Sequence, residues 1–231
     1  MLAKGLFLAS LALPLSGNAA PITSNTGLTG TTVIDFSQFV DTNQYEGVTG
    51  PIQIGDAIGS DIVVSAASAT IYLYDDSWGL ADNGDWTTGG RTGFLAIWPG
   101  DGPIRIDFND GPVTVAGFYM NYCPPSYPIS TISAFNSGGQ LLETFDVAGT
   151  APISTPGGSD VGEFRGIQRD VAEIAYLELF GQCSVYDDME FSIQAQGETV
   201  PVPVNAMWML VLLSLVLVLT AGYGLRRRKI S

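Results

Sequence analysis

Alternation of apolar and polar residues is clearest in the stretch Ile104-Arg105-Ile106-Asp107-Phe108-Asn109-Asp110-Gly111-Pro112-Val113-Thr114-Val115. A period of two residues is typical of a β-strand with one buried and one solvated face. It places Arg105 and Asp107 on the solvated face and the large apolar residues of the first half on the other. Because an Asp-Gly pair supplies the positive φ angles of a tight turn, we expect the two halves to pair as a hairpin.

Outward from this stretch, short β-branched or alternating runs recur between Gly, Asn, Asp and Pro. They predict twelve strands: Thr31–Phe36, Ile52–Ile54, Asp61–Ala66, Ala69–Tyr74, Phe94–Trp98, Pro103–Phe108, Val113–Tyr122, Ile129–Phe135, Leu141–Phe145, Glu163–Ile167, Val171–Phe180 and Val185–Ile193. The turn Asn136-Ser137-Gly138-Gly139 predicts a second hairpin between its flanking strands. No run between Pro21 and Thr199 has helical periodicity. The pattern therefore predicts an all-β fold, an antiparallel β-sandwich.

The N-terminus has the three parts of a secretory signal peptide. Lys4 precedes an apolar run, Leu6–Leu15, and the small residues of Ser16–Ala20 follow it. An N-terminal membrane anchor would need about 18 apolar residues, whereas this run is shorter and contains a proline. We therefore expect signal peptidase to remove residues 1–20 and the mature chain to begin at Pro21.

A long apolar segment near the C-terminus predicts a membrane span. Residues 206–225 carry no charge, and a helix of that length covers the ~30 Å hydrocarbon core at about 1.5 Å per residue. The residues that follow it are Arg226, Arg227, Arg228 and Lys229. Such a basic cluster stays in the cytoplasm, so the chain before the span lies outside, with Trp208 near the outer headgroups. A buried core helix is the alternative, and the adjoining cations oppose it.

The tail as a whole is similar to known sorting signals. Val200-Pro201-Val202-Pro203-Val204, the apolar span and the basic cluster together resemble the PEP-CTERM and IPTL-CTERM signals of bacterial envelope proteins. The resemblance covers the tail alone. It implies a Gram-negative envelope and recognition by a C-terminal sorting peptidase. The domain would then face the periplasm from the inner membrane, or reach the cell surface after processing.

These features divide the chain into five parts. The signal peptide, residues 1–20, precedes an exported β-sandwich domain over 21–196. Pro201 and Pro203 favour extended polyproline-like geometry, which predicts a short stalk at 197–205. The transmembrane helix, 206–225, and the basic cytoplasmic tail, 226–231, complete the chain.

The excess of acidic residues excludes nucleic acids as partners. The stretch Asp35–Glu198 holds all 23 acidic residues of the chain but only four cations, Arg91, Arg105, Arg165 and Arg169, and so carries −19. Such a field repels phosphate backbones, which excludes nucleic-acid binding but admits cations and neutral polar ligands. Solubility of an envelope protein would explain the same charge.

Histidine is absent, and cysteine occurs twice. The absence of histidine excludes Ser-His-Asp catalysis, Cys-His catalysis and zinc sites with histidine ligands. In an exported chain the even count predicts a disulfide between Cys123 and Cys183. Closure of that loop would stabilise the fold by up to about 4 kcal/mol in the chain-entropy model.

Acidic residues crowd the stretch Tyr74–Trp86. Calcium takes six to eight oxygen ligands on flexible backbone, which such a stretch could supply. The candidate ligands here are Asp75, Asp76, Asp82, Asn83 and Asp85. The spacing differs from the EF-hand pattern, and an ordinary solvated acidic loop is the alternative.

A second acidic pair, Asp187-Asp188, lies in the last predicted strand. Adjacent strand residues point to opposite faces, so one aspartate should need a buried partner: calcium, Arg165 or backbone amides. With Phe164-Arg165-Gly166-Ile167 and Ile174–Phe180, this closing segment resembles jelly-roll domains of secreted bacterial proteins. That resemblance implies a jelly-roll-like sandwich with calcium near its first and last strands.

Aromatic residues suggest a ligand of another kind. Flat rings beside carboxylates and amides form many sugar-binding surfaces, and Trp78, Trp86 and Tyr122 are the candidates. Core packing is the alternative for each ring. The sequence thus favours a non-enzymatic envelope module that binds glycans, calcium or both. The alternatives are a structural or matrix protein and a carboxylate-dependent glycoside hydrolase, which would need two acids about 5 to 9.5 Å apart.

Overall fold

The structure is a computed structural model, which describes residues 19–39, 47, 49–66, 70–75, 93–97, 102–122, 129–153, 162–181 and 183–192. All of them belong to the first of two compact units, Met1–Gln194. Within them the strands are β1 (Ala19–Ile22), β2 (Thr31–Ile34), β3 (Ile52–Gln53), β4 (Ile62–Ala66), β5 (Tyr72–Asp75), β6 (Gly93–Ile97), β7 (Ile104–Phe108), β8 (Val115–Tyr122), β9 (Ser130–Phe135), β10 (Leu141–Asp146), β11 (Glu163–Arg169), β12 (Tyr176–Gly181) and β13 (Ser184–Ser192). One helical turn, α1 (Val147–Thr150), and 3-10 turns at Ser37–Phe39 and Asp56–Ile58 accompany them.

These strands form two antiparallel sheets. Sheet A has the order β1-β11-β8-β13-β6-β5. Both β6 and β2 pair with the edge of β13 that lies opposite β8: β6 pairs with residues 184–186 and β2 with residues 189–192. Sheet B has the order β10-β9-β12-β7-β4-β3. The prediction of an all-β fold with antiparallel strands is confirmed, and each of the twelve predicted strands overlaps an observed strand.

The core lies between the two sheets and is built from alternate residues of their strands. In β7 the burial alternates regularly, with Ile104, Ile106 and Phe108 buried. Across the core, Phe108 meets Phe191 of β13 with ring centroids 5.7 Å apart. Burial of such side chains stabilises a fold by about 1.5–3 kcal/mol each, so the alternation read from the sequence is the main source of this architecture.

The predicted hairpin between 104–108 and 113–115 is wrong. β7 pairs with β4 and β12 in sheet B, whereas β8 pairs with β11 and β13 in sheet A. Hydrogen bonds hold the Asp-Gly turn to the start of β4: the Asn109 N–H donates to the Asp61 carbonyl at 2.9 Å, and the Asp61 N–H donates to the Asp110 carboxylate at 2.8 Å. The chain therefore crosses between the sheets at this turn.

The second predicted hairpin is confirmed. β9 and β10 pair in antiparallel register, with Phe135 opposite Leu141. The Asn136 side chain closes the turn by accepting from the N–H groups of Gly138 and Gln140, and Gly139 takes a positive φ of 76°. The turn residues thus supply the geometry that the sequence predicted.

At the N-terminal end, β1 is a strand that the sequence analysis missed. Ala19 and Ala20 pair with Arg169 and Gln168 of β11, so the predicted signal-peptide cleavage after Ala20 would divide this strand. No helix in the described part of the chain is long and apolar enough to cross a membrane. The predicted span at 206–225, the stalk and the basic tail lie outside the described residues, so these assignments stay predictions.

Candidate functional site

The Asp187-Asp188 pair lies at a β-bulge in β13, a strand whose nine residues are all buried. Asp187 pairs with Tyr119 of β8, and Glu190 pairs with Gly117, so two residues of β13 stand opposite Phe118. Asp188 has a left-handed φ of 42°. Both aspartates are only 2% exposed. The bulge breaks the simple alternation on which the sequence prediction relied.

One of the partners predicted for this pair is present. A carboxylate oxygen of Asp187 accepts from the backbone N–H of Asp188 at 2.7 Å. Arg165, another predicted partner, forms its hydrogen bonds with other residues. Its guanidinium donates to the Glu163 carboxylate at 2.7 Å and to the Ala151 carbonyl at 2.9 Å.

One end of the acidic stretch lies on β5, two strands from β13 in sheet A. Asp75 of β5 pairs with Gly93 of β6, and β6 pairs with β13 from Ile97 opposite Ser184 to Leu95 opposite Tyr186, the residue before Asp187. The candidate calcium ligands between these strands, Asp76, Asp82, Asn83 and Asp85, lie outside the described residues. Within the described part, no group of three or more Asp, Glu, Cys or His side chains is arranged to hold a metal ion.

The remaining residues predicted for binding, bridging and anchoring fall in different places. Tyr122 is buried, and its hydroxyl oxygen accepts from the Ile153 N–H at 3.3 Å; this position corrects the expectation that its ring meets a ligand at the surface. Cys183 is buried and is not a free thiol. Its bridge stays a prediction, because Cys123 lies outside the described residues. So do Trp78, Trp86, Pro201, Pro203, Trp208, Arg226, Arg227, Arg228 and Lys229.

The outer face of sheet B carries an aromatic and charged surface that the sequence analysis did not identify. In β12, Leu177 and Leu179 enter the core, so Tyr176, Glu178 and Phe180 share the outward face. The neighbouring strands add Phe135 opposite Tyr176 and Arg105 opposite Glu178. We call these five residues the platform.

Three side chains of the platform form a continuous stack. The Phe135 and Tyr176 rings are parallel within 5°, with centroids 4.7 Å apart. The Arg105 guanidinium carbon lies 3.6 Å from the Tyr176 ring centroid. Asp107 binds this guanidinium through both carboxylate oxygens, each 2.9 Å from Arg105 Nε, and this hydrogen bonding raises the pKa of Arg105. Stacking and ion pairing therefore fix the guanidinium on the sheet face.

The other two platform residues, Phe180 and Glu178, form no ring contact and no hydrogen bond with the residues that the structure describes, although Glu178 interacts electrostatically with Arg105. The Phe180 side chain is 36% exposed and makes no ring contact with the described aromatic residues. Glu178 lies directly opposite Arg105 yet forms no hydrogen bond or ion pair with any described residue, since Arg105 bonds to Asp107 instead. Two residues apart on one strand, the ring and the carboxylate are about 7 Å apart along the sheet.

A groove adjoins Glu178. It has a volume of about 340 Å³ and is lined by Ser65, Ala66, Pro103, Arg105 and Glu178. Beyond Glu178 in the other direction, the Ser133 and Thr144 hydroxyls lie 3.0 Å apart in the same cross-strand row. The described part of the outer face thus combines an exposed ring, a carboxylate without a hydrogen-bonding partner among the described residues, hydroxyls and a concave wall.

A sequence signal for this surface existed. The predicted strand Val171–Phe180 ends in Tyr-Leu-Glu-Leu-Phe, in which aromatic residues occupy the polar side of the alternation. The partners on the flanking strands depend on strand order, which the sequence alone did not provide.

Comparison with known proteins gives little further information. No protein-family model and no curated protein matches the chain. Among solved structures, the chain is similar to the K2 cleaved adhesin domain of Lys-gingipain, with 12% sequence identity and a TM-score of 0.28, over 72% of this chain and 100% of that one. A likeness at this level carries no argument about fold or function.

Proposed function

We propose that this chain is an exported, non-enzymatic β-sandwich module of a bacterial envelope that binds glycans through the platform. The observation that carries the proposal is the pairing of an exposed ring, Phe180, with a carboxylate, Glu178, that forms no hydrogen bond with the described residues and lines a groove on the outer face of sheet B. A pyranose ring presents an apolar C–H face and an equatorial belt of hydroxyls. The C–H face stacks on an aromatic ring, and the hydroxyls donate hydrogen bonds to a carboxylate.

The shape and stiffness of the surface support this role. Arg105 is held by Asp107 and Tyr176, and Tyr176 is held by Phe135, so little side-chain entropy is lost when a ligand docks on them. Such pre-ordering raises affinity because fewer rotamers are frozen on binding. Residues on β-strands also keep their spacing better than residues on loops.

The groove favours binding over hydrolysis. Glycoside hydrolysis needs two carboxyl groups, about 5 to 9.5 Å apart, on opposite sides of the bond. Glu178 is the one acid that the described residues place in the groove wall, and Asp107 nearby is neutralised by its bidentate contact with Arg105. A binding module is therefore the better account, and release of reducing sugar from polysaccharides would contradict it.

Export and anchoring come from the sequence and complete the proposal. The signal peptide, the span at 206–225 and the PEP-CTERM-like tail would hold the domain on the periplasmic side, or deliver it to the cell surface after sorting. An acidic module at that location meets cell-wall and matrix polysaccharides.

A glycan array tests the proposal directly. Full-length protein, labelled and shown to be folded by its melting transition, should bind at least one class of glycan on the array. Folded protein that binds no glycan would contradict the proposal and leave the structural or matrix role as the better account.

Calcium is a second candidate ligand, favoured by the two buried aspartates at the β13 bulge and by the position of Asp75 on β5, two strands away in the same sheet. A ligand that binds only the folded state stabilises it by about 2.7 kcal/mol at one hundred times Kd. We expect millimolar calcium to raise the melting temperature more than magnesium at matched ionic strength, because magnesium demands tighter octahedral geometry. The double variant Asp82→Asn with Asp85→Asn should lose the difference. Equal shifts with both ions, unchanged in that variant, would contradict a calcium site.

A further inference from the structure

We infer that Glu178 makes the platform selective for glycans that carry protonated amino groups, over neutral and acidic glycans of the same shape. This inference rests on the proposed glycan-binding function and concerns the ligand class that the same surface takes. It follows from how the charges around the groove are distributed.

The positive charge at this surface is already neutralised. Arg105 is bonded to Asp107 through Nε and a terminal nitrogen, and its plane is covered on one side by Tyr176. A guanidinium so engaged has little capacity left to bind a carboxylate or sulfate from a ligand. Acidic glycans would also meet the charge of −19 carried by the stretch Asp35–Glu198.

The negative charge of Glu178 is only partly compensated. Its carboxylate lies in the groove wall and interacts electrostatically with Arg105, but it forms no hydrogen bond or ion pair with the described residues, and Arg105 is bonded to Asp107. With Arg105 and Asp107 cancelling each other, the groove has a local charge near −1. A carboxylate in a partly closed groove binds an ammonium group by a charge-assisted hydrogen bond, which is about twice as strong as a neutral one. A hydroxyl in the same place forms only the weaker bond.

Phe180 and Glu178 together set how such a ligand would lie. The ring and the carboxylate alternate with core leucines on β12, so both reach outward within about 7 Å along the strand. A sugar stacked on Phe180 can therefore place a substituent of the same or the adjoining residue at Glu178. Stacking supplies affinity for any pyranose chain, and the carboxylate discriminates between substituents.

The test compares three hexasaccharides on the full-length protein, at a pH where the amines are protonated: β-1,4-linked glucosamine, β-1,4-linked glucose and an α-1,4-linked uronic acid. We expect the glucosamine hexamer to bind most tightly and the uronate hexamer most weakly. Glu178→Gln should reduce affinity for the glucosamine hexamer about fivefold more than affinity for the glucose hexamer, because the amide oxygen that replaces the carboxylate still accepts from a hydroxyl.

A polycationic ligand could also be attracted by the overall negative charge, and a matched variant separates the two effects. Glu143→Gln removes the same charge from β10 of the same sheet, outside the groove. If Glu143→Gln weakens glucosamine binding as much as Glu178→Gln, the general field is responsible and the inference is wrong. Equal binding of the glucosamine and glucose hexamers would also overturn the inference but leave the proposed function standing. Failure of all three to bind would contradict both.

Discussion

Replacing Gly117 by alanine is expected to destabilise the domain by about 3 kcal/mol or more, the upper range for overpacking in a well-packed region. An added Cβ would lie 2.8 Å from the Arg165 carbonyl oxygen and 2.8 Å from the Gly166 Cα. Both atoms belong to the backbone of β11, which pairs with β8 at this point. Because these strands lie at the centre of sheet A, relief would require a local separation of the pair. Thermal unfolding should show a melting temperature lower by about 10 °C.

Gly138→Ala is the matched control for this prediction. Gly138 lies in the exposed β9–β10 turn, where the nearest atom to an added Cβ is the Asn136 side-chain oxygen at 3.3 Å. A side chain can move by the few tenths of an ångström that this contact needs, so the variant should melt close to the wild type. If the two variants melt together, the close approach of β8 and β11 is not a determinant of stability.

The two predicted hairpins differ in outcome because turn chemistry is local and sheet membership is not. Asn136–Gly139 closes its turn with its own side chains, so local sequence was sufficient. At Asn109–Gly111 the same residue types bond instead to Asp61, a contact made across 48 residues. The Asn109 side chain, and to a lesser extent the Gln53 side chain, donates to the Asp61 carboxylate and lowers its pKa. Turn residues therefore mark where a strand ends, but a distant partner decides which sheet the next strand joins.

In the candidate site, too, some features follow from local sequence and others depend on the order of the strands. Alternation in β12 could have indicated that Tyr176, Glu178 and Phe180 share one face, since that depends only on the period of a strand. It could not indicate Phe135 or Arg105 as neighbours, because those follow from the order β9-β12-β7. Nor could it anticipate the bulge at Asp187-Asp188, where an extra residue interrupts the alternation. Tyr122 was misplaced for a related reason: its strand lies between β11 and β13 and has few outward positions that remain exposed.

Replacing Phe180 by alanine is expected to weaken glycan binding about threefold. Complete burial of an aromatic side chain contributes about 1.5–3 kcal/mol, and Phe180 is 36% exposed, so covering its exposed surface should contribute about 0.5–1 kcal/mol, a factor of about two to six in affinity. Phe180 faces outward from β12 and is partly exposed, so the variant should keep its fold, with a melting temperature near that of the wild type.

Titration calorimetry with the tightest glycan from the array tests whether glycans bind at the platform, because it measures affinity separately from folding. The comparison variant is Val171→Ala, which removes an apolar side chain that is 49% exposed in the connection between β11 and β12. We expect Phe180→Ala to raise Kd about threefold and Val171→Ala to leave Kd unchanged. Wild-type affinity in Phe180→Ala, or an equal loss in Val171→Ala, would contradict the assignment of glycan binding to the outer face of sheet B.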